Sequence, residues 1–356
     1  MTDLSKPHFP VLDGLRGLAA ILVVIFHLFE GFDPSLEHHP MRHGYLAVDF
    51  FFLLSGYVIG YAYDDRWWRM GMTGFLRIRL TRLHPLVVMG TMIGAIVFLC
   101  DPFTEGRPEF TITGFLFTIV VTLTLLPSPD VRGWGETHSL NGPGWSLLQE
   151  YLANLLYAVA LRRLSDRWLG GVVVMAAILT ISVAAGRGDL GTGWSFQTFP
   201  IAMVRMLFPF TAGLWLYRMR VRVHTSWPAV FCSALLIATF FIPWIDGWNG
   251  WVESACIILV FPVIVAIGAG ATVSERMKRI CDRAGAISYP LYITHYPFIY
   301  VYTEWIWFRK PSAETVIPAA ICLLFGSVVL AWLALKWYDI PVRRWLNTTT
   351  AKPQNS

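Results

Sequence analysis

Charge is scarce in this sequence: 14% of its 356 residues are Asp, Glu, Lys or Arg, against 55% hydrophobic and 15% aromatic. Soluble domains carry roughly 25% charged residues, and a water-facing surface cannot be assembled from little more than half that. The scarcity excludes a soluble enzyme, a nucleic-acid binder and a disordered scaffold, although the formal net charge is +5. Cysteine is sparse too. Cys100, Cys232, Cys256, Cys281 and Cys322 show neither CxxC nor metal-ligand spacing, and most lie in apolar runs, where Cys behaves as a small hydrophobe. No disulfide framework and no metal site is expected. A cleavable leader is also lacking: no A-x-A-like site follows the first apolar stretch, which keeps charges within it and reads as a retained helix.

What the sequence has in quantity is long apolar runs. Crossing the hydrocarbon core takes about 20 largely apolar residues. Ten runs approach that length: 12–30, 45–63, 83–100, 146–161, 169–186, 199–217, 227–245, 252–270, 286–307 and 315–337. The expectation is an all-α polytopic membrane protein of about ten transmembrane helices, with residues 1–345 as one integral-membrane domain and 346–356 as a short cytoplasmic tail. An eleventh run, 111–127, is shorter, rich in Thr and closed by Pro127-Ser128-Pro129.

Basic residues in short loops set orientation. The segment 64–82 holds Arg66, Arg69, Arg77, Arg79 and Arg82 against Asp64 and Asp65. Arg162, Arg163 and Arg167 face only Asp166, and Arg218, Arg220 and Arg222 face no acid. Arg276, Lys278, Arg279 and Arg283 outnumber Glu275 and Asp282, and Arg343, Arg344 and Lys352 close the chain. These segments belong in the cytoplasm. Segments 31–44 (Asp33, Glu37, Arg42), 101–110 (Asp101, Glu105, Glu109, Arg107) and 187–198 (Arg187, Asp189) are acidic or neutral and belong outside; 308–314 is a mild exception. A full crossing by 111–127 would put every later basic loop outside. It therefore reads as re-entrant or interfacial, since irregular backbone at membrane depth is tolerated where protein buries it. Ten crossings then leave both termini in the cytoplasm.

Ionisable groups at membrane depth are costly and mark function. The first run carries Asp13, Arg16 and, eleven residues after Arg16, His27. At 100° per residue the two return to nearly one helix face, about 16 Å apart along the axis. They suit a path for an elongated anionic ligand, or equally a snorkelling Arg and a satisfied core His.

The stretch Asp13-Gly14-Leu15-Arg16-Gly17 followed by His27 resembles the opening motif of the acyltransferase 3 family, membrane O-acyltransferases of cell-surface glycans. Val48-Asp49-Phe50-Phe51-Phe52-Leu53-Leu54-Ser55-Gly56-Tyr57 resembles its second-helix motif, and Phe75 to Pro85 its basic segment. Trp145-Ser146-Leu147 with Glu150 and Tyr151, Ile287 to Pro297, and Asp339-Ile340-Pro341 with Arg343 resemble its later motifs in order. Gln149 stands where the family often has a second acidic residue. The chain ends at Ser356, too soon for the extra hydrolase-like domain of many members, so the membrane part is expected to do the chemistry.

The resemblance implies transfer of an acyl group, expected to be acetyl, from cytoplasmic acyl-CoA to a hydroxyl of a glycan or related acceptor. The localisation it implies is the bacterial inner membrane. No permanently bound cofactor is expected; acyl-CoA, the acceptor and the bilayer are the partners, with no nucleic acid. Arg16, Arg79 and Arg82 would hold the phosphates, which guanidinium forks suit. His27 would be the general base or carry the acyl group covalently. Asp49 and Glu150, at about the depth of His27, are each placed to orient its imidazole, as a carboxylate does in a triad. Asp13, Ser55, Ser146, Tyr292 and His295 would line the cavity. A transporter or flippase using Arg16, His27 and Glu150 as its translocation site is the alternative, disfavoured because no paired halves with interrupted helices are visible; a non-catalytic receptor is a third.

His38, His39 and His43 read as a solvated outer loop rather than a metal site. Trp67-Trp68 and Trp244 read as interfacial anchors, and Gly142-Pro143-Gly144 as a turn before a helix.

Overall fold

A computed structural model describes residues 8–32, 38–104 and 107–350. Asp33, Glu37, Glu105 and Lys352, counted above among the loop charges, lie outside the described residues, as does 351–356 of the expected tail. The described residues form no strand; a single antiparallel bridge joins Glu136 and Ser195. In chain order the helices are α1 (Pro10–Glu30), α2 (Ala47–Tyr63), α3 (Trp67–Cys100), α4 (Ile112–Leu123), α5 (Gly144–Val159), α6 (Asp166–Arg187) and α7 (Phe199–Arg218). There follow α8 (Pro228–Phe240), α9 (Asn249–Ala255), α10 (Phe261–Gly270), α11 (Glu275–Thr294), α12 (Tyr296–Arg309), α13 (Ala313–Leu333) and α14 (Ile340–Thr350). A π-helical turn, Cys256–Val260, fuses α9 to α10, and another, Ala334–Asp339, fuses α13 to α14.

Among the described residues seven helical stretches are long and apolar enough to cross a membrane: Pro10–Glu30, Gly44–Tyr63, Met70–Cys100, Asp166–Arg187, Phe199–Arg218, Asn249–Gly270 and Ala313–Thr348. The remaining expected spans are short or divided. α5 has 16 residues and α8 has 13, which at about 1.5 Å per residue fall short of a hydrocarbon core of about 30 Å. Run 286–307 divides at His295 into α11 and α12, between Pro290 and Pro297. α4, within 111–127, has 12 residues and packs Phe115 on Phe98 of α3 at 5.3 Å. The basic segment expected as a loop is helical from Trp67 onward: α3 runs 34 residues, bent at Gly71, whose φ of 66° lies outside the helical region. Arginine is a good helix former, so this charge sits on a helix that enters the core. The expected tail likewise begins inside α14.

α1 is the central element, in contact with α2, α8, α10, α11, α12 and α13. Its approach to α11 requires glycine. A Cβ at Gly17 would lie 2.5 Å from the Ala284 carbonyl, and one at Gly285 2.7 Å from Asp13 Cβ. α2 crosses α7 as closely, with Gly56 facing the Phe210 carbonyl and Gly213 facing that of Leu53. The segments at the His27 end of α1 are tied down by buried ion clusters. Arg107 donates to both Asp101 and Glu304, and Arg132 Nη1 lies 3.5 Å from each of the same carboxylates. Glu253 accepts from His43, Tyr45, Asn249 and the Leu190 N–H. His39 is also buried, 3.0 Å from the Phe26 carbonyl. His39 and His43 are thus buried connectors in a segment expected to be solvated. Trp244 stacks on His43 with an interplanar angle of 9°.

Candidate active site

The α1–α11 contact sets Arg16. Its Nε donates to Ser288 Oγ at 2.9 Å and its Nη2 to the Gly285 carbonyl at 3.2 Å, with Asp13 2.6 Å away. Beside it lies a cavity of about 380 Å³ whose wall includes Arg16, Ser55, Arg79, Arg82, Glu150 and Arg343. Glu150 Oε1 accepts from Arg79 at 2.8 Å, from Ser55 at 2.6 Å and from Asn154 at 3.2 Å. Asp339 pairs with Arg343. Arg82 is exposed to the cavity, and among the described residues no hydrogen bond or ion pair occupies its guanidinium. A second hollow of about 420 Å³ shares Arg16 and Arg82 and adds His8, Asp13, and Lys278 paired with Asp282 at 2.8 Å. Cations therefore outnumber the carboxylates that neutralise them, a setting for a polyanion.

At the other end of α1 lies a cavity of about 480 Å³. His27 and Glu30 line it, with His27 Nδ1 2.5 Å from Glu30 Oε2. Bound to a carboxylate through Nδ1–H, the neutral imidazole has its lone pair on Nε2, the arrangement of a general base. The ring packs edge-on against Tyr296 at 4.7 Å. Arg205 also reaches this wall but is spent on structure: it donates to Asp49 at 2.5 and 3.3 Å, to the Thr192 carbonyl at 2.7 Å and to the Tyr45 carbonyl at 3.1 Å. Glu136 lines the cavity and accepts from the Tyr300 hydroxyl. Burial pushes its carboxyl up to about 8, against the pull of Tyr300 and Arg132.

Val48 and Tyr292 belong to the walls of both cavities. Ser146 Oγ donates to the Pro143 carbonyl at 2.9 Å and accepts from the Tyr292 hydroxyl at 2.6 Å. Two shared side chains, one of them held by a hydrogen bond, thus lie at the boundary of the arginine cavity and the imidazole cavity.

The acyltransferase domain that defines the acyltransferase 3 family matches residues 9–336. This chain belongs to that family. It is similar to protein 2 in the picA locus of Rhizobium radiobacter, 31% identical over 52% of this chain and 95% of that protein. It is 26% identical to acyltransferase MdmB of Streptomyces mycarofaciens, over 82% of this chain and 79% of that one. It is 22% identical to O-acetyltransferase OatA of Staphylococcus aureus, over 96% of this chain and 58% of that protein. No solved structure matches it. The protein is an integral membrane acyltransferase.

In this acyltransferase Arg16, Arg79, Arg82, Ser55 and Glu150 share one cavity, Ser146 and Tyr292 form the partition, and Asp13 sits at the mouth. Three expectations need correction. Glu150 does not orient His27: it lies in the arginine cavity, on Arg79. Asp49 does not either, being buried against Arg205. The carboxylate on His27 is Glu30, one helical turn away. His295 lines neither cavity; it lies buried behind His27, with ring centroids 5.6 Å apart, and its Nδ1 bonds the Leu291 carbonyl at 2.9 Å. Glu30, Glu136 and Arg205 escaped the sequence reading. Glu30 follows His27 by three residues and Arg205 interrupts an apolar run, the same signals that marked Arg16 and His27; Glu136 lies in a segment without periodicity and carries no such signal.

Proposed function

We propose that the protein moves an acyl group, acetyl in the simplest case, from acyl-CoA to a hydroxyl of a glycan or related acceptor. The observation that carries this reading is the pair of cavities at the two ends of α1, one lined by arginines and the other by an imidazole held on a carboxylate, which share Tyr292 and Val48 in their walls. The donor's phosphates sit by Arg16, Arg82 and Arg343, and its thioester reaches the partition at Tyr292. The acceptor hydroxyl enters the His27 cavity. His27 Nε2 takes the hydroxyl proton as the oxygen bonds to the thioester carbonyl carbon. The C–S bond then breaks, and the imidazolium returns the proton to the leaving thiolate, giving an ester and free coenzyme A. Glu30 stabilises the transient imidazolium.

Positive charge places this apparatus in the membrane. Arg66, Arg162, Arg218 and Lys278 support the arginine end as the cytoplasmic one, with both termini inside and a bacterial plasma membrane as the proposed location. Coenzyme A is made on that side. Single cysteines in an otherwise cysteine-free background check it. Gln197→Cys and Thr225→Cys both fall at exposed positions. A membrane-impermeant maleimide applied to intact cells is expected to label the first and spare the second; the reverse pattern would end this topology.

The donor site is tested by titrating purified protein with a non-hydrolysable acyl-CoA analogue at fixed ionic strength. Arg82→Ala is expected to weaken binding by about 1.5–3 kcal/mol, the scale of hydrogen bonds to charged groups. Arg66→Ala, at an exposed position before α3, is expected to change it little. Equal small losses at both would mean that the arginines supply only a general positive potential and hold no donor.

A further inference from the structure

Four indole rings face the His27 cavity: Trp134, Trp145, Trp194 and Trp307. Trp134 and Trp307 lie 5.0 Å apart at 36°, and Trp134 is braced edge-on by Tyr300 at 5.2 Å. Trp194 and Trp307 are 42% and 41% exposed, so they form the rim. Two backbone hydrogen bonds hold this rim in place: the Thr137 N–H donates to the Trp194 carbonyl at 3.0 Å, and the Phe196 N–H to the Gly135 carbonyl at 3.1 Å. Rings so fixed offer flat apolar faces rather than a flexible grease.

The charges lining the same cavity are unequal in availability. Its one cation besides the imidazole, Arg205, is 1% exposed and fully engaged by Asp49 and two carbonyls. Its carboxyl groups differ: Glu30 is paired with His27 and a third exposed, while Glu136 is buried and bonded to Tyr300. Glu136 accepts from the Tyr300 hydroxyl, and burial pushes its carboxyl up to about 8. Thr303 and Tyr296 add hydroxyls to the wall. A ligand with hydroxyl groups finds partners here. One with a carboxylate would lose its hydration in a cavity with no free cation to compensate, which is costly.

We infer that the acceptor cavity takes an uncharged, hydroxyl-bearing ring, a neutral sugar, stacked on Trp134 and Trp307, and turns away the same ring bearing a carboxylate. The inference rests on the assignment of the His27 cavity to the acceptor and names the acceptor's chemistry.

Binding without donor tests it. The full chain, purified in a maltoside-free detergent, is titrated calorimetrically with the methyl glycosides of glucose, galactose and mannose, and with the three matching methyl uronides. At least one neutral glycoside is expected to bind, and to bind about tenfold or more tightly than its uronide. Trp134→Ala and Trp307→Ala should each raise that Kd about five- to tenfold, and Trp168→Ala, on the far exposed face of α6, should not. A uronide that binds as well as its neutral partner, binding by none of the three pairs, or binding indifferent to both Trp134 and Trp307 overturns the proposal. Because no donor is present, a protein that binds the neutral glycoside yet transfers no acyl group would sink the transfer reading and leave this one standing.

Discussion

His27→Ala is expected to lower acyl transfer by about 10²–10⁴-fold, the range supplied by a positioned general base, while the protein still folds and inserts. The side chain is 17% exposed at the cavity wall, so its loss enlarges a space that is already open and leaves no sealed void in the core. Glu30→Gln preserves volume but removes the charge that would stabilise the imidazolium, and its rate should fall between those of wild type and His27→Ala. Release of free coenzyme A thiol by purified protein, with acceptor present, measures all three. Wild-type turnover in His27→Ala would remove His27 from the mechanism. Full turnover in Glu30→Gln alone would reduce the 2.5 Å contact to a helix-end ion pair.

The largest effect on stability is expected at Asp49. Asp49→Ala leaves Arg205 charged, buried and short of its carboxylate, a change that costs about 3–5 kcal/mol when one partner of a buried pair is removed. Both side chains are within 1% of complete burial, so solvent cannot take the place of the lost oxygen. Removing the two charges together, as Asp49→Asn with Arg205→Met, should recover much of the loss, because the penalty lies in the unpaired ion rather than in the absence of the pair. Thermal unfolding of the purified variants in one detergent reads the difference. A loss under about 1 kcal/mol for Asp49→Ala, the scale of an exposed ion pair, would show that this part of the structure opens to water.

Where the reading of Asp49 went astray is instructive. Its depth, near the start of α2, matches that of His27, and depth was the only coordinate that hydropathy supplied. Which carboxylate meets which base also depends on the angle about each helix and on the neighbour it faces. α2 turns Asp49 toward α7, where Arg205 waits 156 residues away in sequence. Glu150 was misplaced for the same reason: α5 begins near the His27 cavity, yet Glu150 meets Arg79 of α3, because α3 continues as helix through a segment whose charge suggested a loop. Arg16 and His27, by contrast, lie on one helix, whose period is local and needs no partner.

What the sequence determined by itself is therefore the membrane setting, the family, and the elements whose logic is local. Too few charges to face water, apolar runs of membrane length and motifs in order from Asp13 to Arg343 all survive in any arrangement of the helices. Tertiary structure alone decided the length of α8, since its apolar run continues past the point where the helix stops. It also decided the partition into two cavities at Tyr292. Most of all it decided the ionic pairings, because a charge in an apolar run shows that a partner is needed, while only packing brings that partner within reach.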